Sequence, residues 1–340
     1  MNITTSLDQI PPSACPSIQY RIRKEILHQS SFLPEMIKIR GQIMQDEAVK
    51  KVLNSQGSDG WLGWAFHGYD SLESGIRLLC EKGVEANEPV LACALLALEK
   101  HTERLERGLG KAGRILDDLS FGGAETIRAY LFAHAGFEDN SFVKEQIKQA
   151  LQVFNAALQV KSLKNLCLPY KDRLIFREGI CWPSIYHLRL LAMSQSWRTP
   201  ENSRIITQSI QNIVRLSPIP YIHIKHKSRL IAPASFGMND FTPNLNNLTD
   251  PEWMQWFHRM ELLARLGVVE QIPGLKRQVQ VLTEVLQEGK GLFTKMVNHP
   301  YFHKWGSYTG IALEKDWRNP QRRINDLTFR SVLILHYADQ

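Results

Sequence analysis

The sequence predicts an all-α fold: about six helical hairpins closed into a ring around a central cavity. Three observations carry this. Five stretches repeat one plan, an apolar helix, a polar turn and a second helix, with turns beginning at Gly83, Gly136, Trp197, Gly267 and Trp317. The tetrapeptide Trp-Arg-x-Pro forms two of those turns, at Trp197 and Trp317. Second helices carry apolar residues three and four apart, as in Val143, Ile147, Leu151 and Phe154, the spacing of one helix face.

In chain order, residues 1–17 read as an N-terminal arm punctuated by Pro11, Pro12 and Pro16, and residues 18–340 as a single domain. Tyr20–Leu53 supplies one helical pair, broken near Ser30–Pro34. The first helices of the five hairpins contain Ile76–Cys80, Ile127–Ala133, Leu188–Ala192, Met260–Ala264 and Gly310–Leu313. Glycine after a first helix supplies a left-handed C′ residue. Asn87, Asn140 and Thr199 or Asn202 are candidate caps for the second helices, and Pro89 and Pro200 suit a first helical turn. Arg173–Phe176 and Tyr221–Ile224 carry the best strand signals, as short local ribbons. Single hairpins cannot bury their apolar faces and must stack. The long glycine- and aromatic-rich segments before each first helix favour a ring over an open solenoid.

Hydrophobic residues at 44% against 22% charged exclude a disordered chain. No apolar run approaches the roughly 20 residues of a membrane-spanning helix. The opening MNITTSLDQIPPSACPS lacks the basic and apolar regions of a secretory signal. Five cysteines without a C-x-x-C pair fit neither a disulfide framework nor a zinc clip, so a reducing, cytoplasmic compartment is expected. The formal charge of +7 is mild for this length. It concentrates at His223, Lys225, His226, Lys227 and Arg229, a solvated strand or loop, with phosphate contact as the alternative. Arg318, Arg322, Arg323 and Arg330, with Asp326 interleaved, read as an exposed, salt-bridged helix face.

Ala48–Gln56 runs into Gly57-Ser58-Asp59-Gly60-Trp61, with weaker echoes at Glu178–Trp182 and Lys290–Phe293. This resembles the glutamine–tryptophan repeat of squalene cyclases, with the glycine–tryptophan spacing one residue short. The resemblance implies the α/α toroid of terpenoid cyclases and protein prenyltransferases, with inner and outer helices around a cavity. It does not bring their chemistry. The D-x-D-D acid motif is absent, and Asp117-Asp118 is its nearest approach, with Asn239-Asp240 further off. Neither D-D-x-x-D nor a prenyltransferase zinc set is present. No metal or nucleotide motif is found, and cofactors remain open.

In such a ring, the segments entering the inner helices share one mouth, and six of the eight tryptophans lie there. The acid–base candidates are His67, Asp70, Asp117, Asp118, Glu178, His187, Asp240 and His258, in segments that also hold Glu73, Glu125 and Glu261. Trp64, Trp182, Tyr186, Trp256 and Trp305 would line the pocket. Aromatic faces can stabilise a cation or stack on sugars or bases, and carboxylates beside imidazoles can exchange protons. Structural roles compete at each position. Trp61 can pack between repeats, Trp253 and Trp256 share a helix face, His258 can serve packing, and Asp117-Asp118 can cap a helix. His299 and His303 have the spacing of a metal pair, but Pro300 interrupts the helix this needs.

The leading expectation is an enzyme holding an apolar or aromatic, terpenoid-like small molecule in the central cavity, worked on by acids and histidines. The alternatives are a non-catalytic scaffold for nucleic acid or protein, and a glycan-processing toroid with facing carboxylates.

Overall fold

The computed structural model describes residues 3–340. Helix makes up 55% of it, but four strands form a mixed sheet, so the fold is not purely all-α. The N-terminal region holds α1 (Ile3–Gln9), α2 (Pro16–Arg21), a π-helical turn (Ile22–Ile26), α3 (Pro34–Ile43) and α4 (Glu47–Asn54). Then come α5 (Leu72–Lys82), α6 (Pro89–Lys100), α7 (Lys111–Asp118), α8 (Ala124–His134), α9 (Ser141–Ala157) and the short α10 (Leu163–Leu166). After α11 (Ile185–Ala192) follow α12 (Pro200–Leu216), α13 (Asp250–Arg265), α14 (Pro273–Glu288) and α15 (Pro320–Ala338).

Turn chemistry fixes the hairpin ends. Gly83 closes α5 at φ +86°, and a Cβ there would lie 2.6 Å from the Tyr20 ring. Pro89, Pro200 and Pro320 each open a helix, where a missing N–H costs nothing. Thr199 caps α12 through Asn202 N, whereas Asn140 makes no cap and Glu88, not Asn87, precedes α6. The two Trp-Arg-x-Pro turns share a device: the indole N–H of Trp197 donates to Leu191 O at 2.9 Å, and that of Trp317 to Asp326 Oδ2 at 2.6 Å.

Helices α5, α8, α11, α13 and α15 pack successively, and α6, α9, α12 and α14 lie outside them. Between α15 and α5 there is no extended helix-to-helix face. Arg330 of α15 pairs with Glu81 of α5 at 2.8 Å, α2 packs on α5, and the π-turn packs on α15. Closure of a helical toroid is therefore not shown. The expected N-terminal arm is docked: its Ala14 and Cys15, followed by Ile18, are buried against Leu313, Phe329 and Leu333, because these apolar residues match that face. The set Arg318–Arg330 is likewise only partly an exposed face. Arg323, Asp326 and Arg330 are buried, because α15 is enclosed on nearly every side and its charges must pair inside.

The strand signals fall where expected, but not as separate ribbons. β1 (Cys167–Tyr170) pairs antiparallel with β2 (Arg173–Phe176), and β3 (Ile222–His226) with β4 (Arg229–Ile231). β2 and β3 join in parallel through Leu174 opposite Ile222 and Ile175 opposite His223. A ladder between segments so far apart has no local signature. No helix of the described residues is long and apolar enough to cross a membrane.

Candidate functional site

Glu73 sits in the first turn of α5, whose N-terminus is set by the Ser71–Ser74 capping box. Its side chain is wholly buried, yet four groups reach it. His67 Nδ1 lies 2.7 Å from Oε2, Ser307 Oγ donates to Oε2 at 2.6 Å, and Tyr186 OH donates to Oε1 at 2.7 Å. The Arg189 guanidinium stands 3.6 Å from Oε1. Gly68 N donates to Ser307 Oγ at 2.7 Å, which orients that hydroxyl toward the carboxylate. Burial pushes the Glu73 carboxyl up, but His67, Arg189 and Ser307 outweigh it and bring it to about 2. It is an anion at neutral pH.

An imidazole whose Nδ1 meets an anionic carboxylate carries its proton there and offers Nε2 as the lone-pair nitrogen. His67 Nε2 has no hydrogen-bond partner among the described residues. Around the ring stand Tyr308 at 5.5 Å and Tyr186 at 6.2 Å between centroids, both edge-on, with Phe236 stacked on Tyr308. Serine, histidine and glutamate thus meet, but not as a nucleophilic relay. Ser307 and Glu73 share the same imidazole nitrogen, whereas a relay needs the hydroxyl on the other one.

Beneath this pair the interior is ionic. Arg189 Nε donates to His258 Nε2 at 3.1 Å and Nη1 to Ser307 O at 2.8 Å. Burial, with Arg189 adding to it, holds His258 well below its ordinary value, so it is neutral. Arg21, Arg265 and Arg330 interleave with Glu25, Glu81 and Glu261 at 2.5 to 3.6 Å. One cavity in this interior, bounded by Arg77, Arg189, His258 and Arg330 among others, measures about 20 Å³, one water's room. A terpenoid-sized molecule does not fit in this cavity, because guanidinium and carboxylate side chains close in on it.

Of the predicted site residues, His67, His258 and Tyr186 enter this network. The others are placed elsewhere. Asp117 accepts from the amides of Gly123 and Glu125 at 2.8 and 2.9 Å, capping α8, and burial raises its carboxyl. Asp118 and Glu178 are exposed. Asp70 pairs with Lys51 in solvent. Asp240 accepts from Thr242 N at 2.8 Å. His187 accepts from Ser184 N at 3.1 Å in the α11 capping box, and burial lowers it to about 4. Trp64 is exposed under Arg107, Trp182 is buried and borders a small cavity with Phe121 and Phe176, Trp256 donates to Gln278 Oε1, and Trp305 lies under Arg77. These acids and aromatics do not converge on one pocket.

Ser307, Arg189 and Arg77 are site residues that motif reasoning passed over. The arginines left a trace: Ile76-Arg77-Leu78-Leu79 and Leu188-Arg189-Leu190-Leu191 set one charge inside an apolar run, which marks a buried charge needing partners. Ser307 left none.

Among the described residues no group of three or more His, Cys, Asp or Glu side chains is placed to hold a metal. His299 caps a 3₁₀ turn, accepting from Tyr301 N, instead of pairing with His303. The basic run His223–Arg229 forms the β3–β4 hairpin. Its Lys225, His226 and Lys227 border a groove of about 650 Å³ over Leu168, Ile175, Phe176 and Ile224.

Fold and site together define a mostly helical protein with a small mixed sheet and a carboxylate-oriented histidine at the surface of an ionic core. No protein-family profile matches the chain, and no curated protein or solved structure does so either.

Proposed function

We propose that the chain is an enzyme in which His67 exchanges a proton with a small molecule bound at the mouth of the helix series. The observation that carries this is the 2.7 Å contact between His67 Nδ1 and the buried Glu73 anion, which leaves Nε2 to take the proton. Glu73 then stabilises the imidazolium, and Ser307 and Tyr186 hold the carboxylate in place. The substrate is one with an apolar or aromatic body, for which Tyr308, Phe236 and the exposed Trp64 provide surfaces. It lies outside the 20 Å³ interior cavity.

The test is to incubate wild type, His67→Gln and Glu73→Gln with a small-molecule cell extract and follow compounds by mass spectrometry. Wild type consumes at least one compound that both variants leave untouched. Identical profiles for all three proteins overturn the proposal.

A second reading is a binding scaffold that uses the groove beside the β3–β4 hairpin. Its support is the row Arg177, Lys225 and Lys227 around an apolar floor. Nucleic-acid binding there weakens steeply with salt, and Lys225→Ala/Lys227→Ala reduces the slope.

A further inference from the structure

We propose that the cavity between Arg77, Arg189 and His258 is a binding site for one small monovalent anion, chloride in ordinary cell fluid. Three buried polar atoms there have no partner: Arg77 Nε, Arg189 Nη2 and His258 Nδ1. The guanidinium atoms are donors. The imidazole atom is a donor too, because His258 Nε2 already accepts from Arg189, which places the proton of the neutral ring on Nδ1. The three side chains that carry these orphaned donors, each more than nine-tenths buried, border one space. They call for an acceptor.

Charge selects an anion over a water. Five guanidinium groups (Arg21, Arg77, Arg189, Arg265 and Arg330) share the interior with four carboxylates (Glu25, Glu73, Glu81 and Glu261). At least one positive charge is therefore left without a counterpart. Arg77 is the unmatched group: its Nη atoms donate only to the carbonyls of Gly306, Thr309 and Gly310. Burial and the nearby Arg189 hold its guanidinium below the usual range, the mark of a cation short of compensation. The lining carboxylates do not supply it, since Glu81 and Glu261 are taken by Arg21, Arg265 and Arg330. A water would occupy the donors and leave the buried charge standing. The volume of about 20 Å³ takes one sphere of water or halide size and excludes polyatomic anions.

The test titrates the full chain in sodium gluconate with sodium chloride at constant ionic strength. Melting temperature rises with chloride, linearly in the logarithm of its concentration once the Kd is passed and by about 4 °C at 100 times the Kd, and bromide reproduces the effect. Arg77→Met removes both the charge and one orphaned donor, and the halide response disappears. Since that variant also frees three carbonyls, a second arm uses wild type alone. Crystals soaked in bromide give an anomalous peak between Arg77, Arg189 and His258. Melting that is indifferent to chloride, or water density with no bromide peak at that position, overturns the proposal.

Discussion

Ser307 Oγ lies 2.6 Å from Glu73 Oε2, although 234 positions separate the two residues. The segment before α15 thereby reaches the first turn of α5 and fixes the carboxylate that orients His67. The same segment supplies the carbonyls that hold Arg77. Geometry at the mouth and charge in the interior are thus set by one stretch of chain.

Glu73→Gln removes the anion while Arg189 stays buried beside it. Breaking a buried pair from one side costs about 3 to 5 kcal/mol, so denaturant unfolding shifts to markedly lower midpoints. His67→Gln, at a partly solvated position, costs about 1 kcal/mol and removes turnover all the same. Equal destabilisation by both variants would contradict the placement of Glu73 as the buried partner.

The pH dependence of stability has two acid steps. His134 and His187, lowered by burial to about 4 from an ordinary 6.5, bind protons more readily when unfolded. Their contribution is complete above pH 6.5 and lost as pH falls toward 4. Glu73, at about 2 against 4.5, contributes above pH 4.5 and loses it as pH falls toward 2, about 3 kcal/mol in all. His187→Gln keeps the Ser-x-x-Gln capping pattern and reduces the slope between pH 6.5 and 4. Urea unfolding at stepped pH measures it.

Asp117→Ala leaves the amides of Gly123 and Glu125 at the start of α8 without their acceptor. The expected loss is about 1 to 2 kcal/mol, with turnover by His67 retained in the folded fraction. A variant of full stability and no activity would return Asp117 to the chemistry.

Arg21→Met takes a guanidinium from between Glu25, Glu81 and Glu261. The carboxylates then repel in a dry setting, and a loss of about 3 to 5 kcal/mol follows. Glu81→Gln in the same chain recovers part of it, because one of the three anions is gone. Thermal melts of the two chains make the comparison.

Helix starts and turns were legible where their signals are local: Gly83 at a left-handed end, Pro89, Pro200 and Pro320 in first turns. The fifth hairpin was not, since Gly310–Leu313, expected as its first helix, is irregular and Trp317 leads into α15 alone. His67 and Tyr186 were legible as unusual residues at segment starts. The acids at the same segment starts misled, since Asp117, Asp70 and Asp240 serve amides or solvent partners. Proximity in sequence to a helix start does not say where a side chain points.

By itself the sequence determined where many of the helices start and which of their faces are apolar, for these follow from periodicity and turn chemistry within a few residues. Only the tertiary structure decided that β2 and β3 join in parallel, that Arg77 and Arg189 lie inside, and that Glu73 receives His67, Tyr186 and Ser307. Charges buried in low dielectric are governed by partners that the chain brings together from 113 and 234 positions away. Such distances have no periodicity to read.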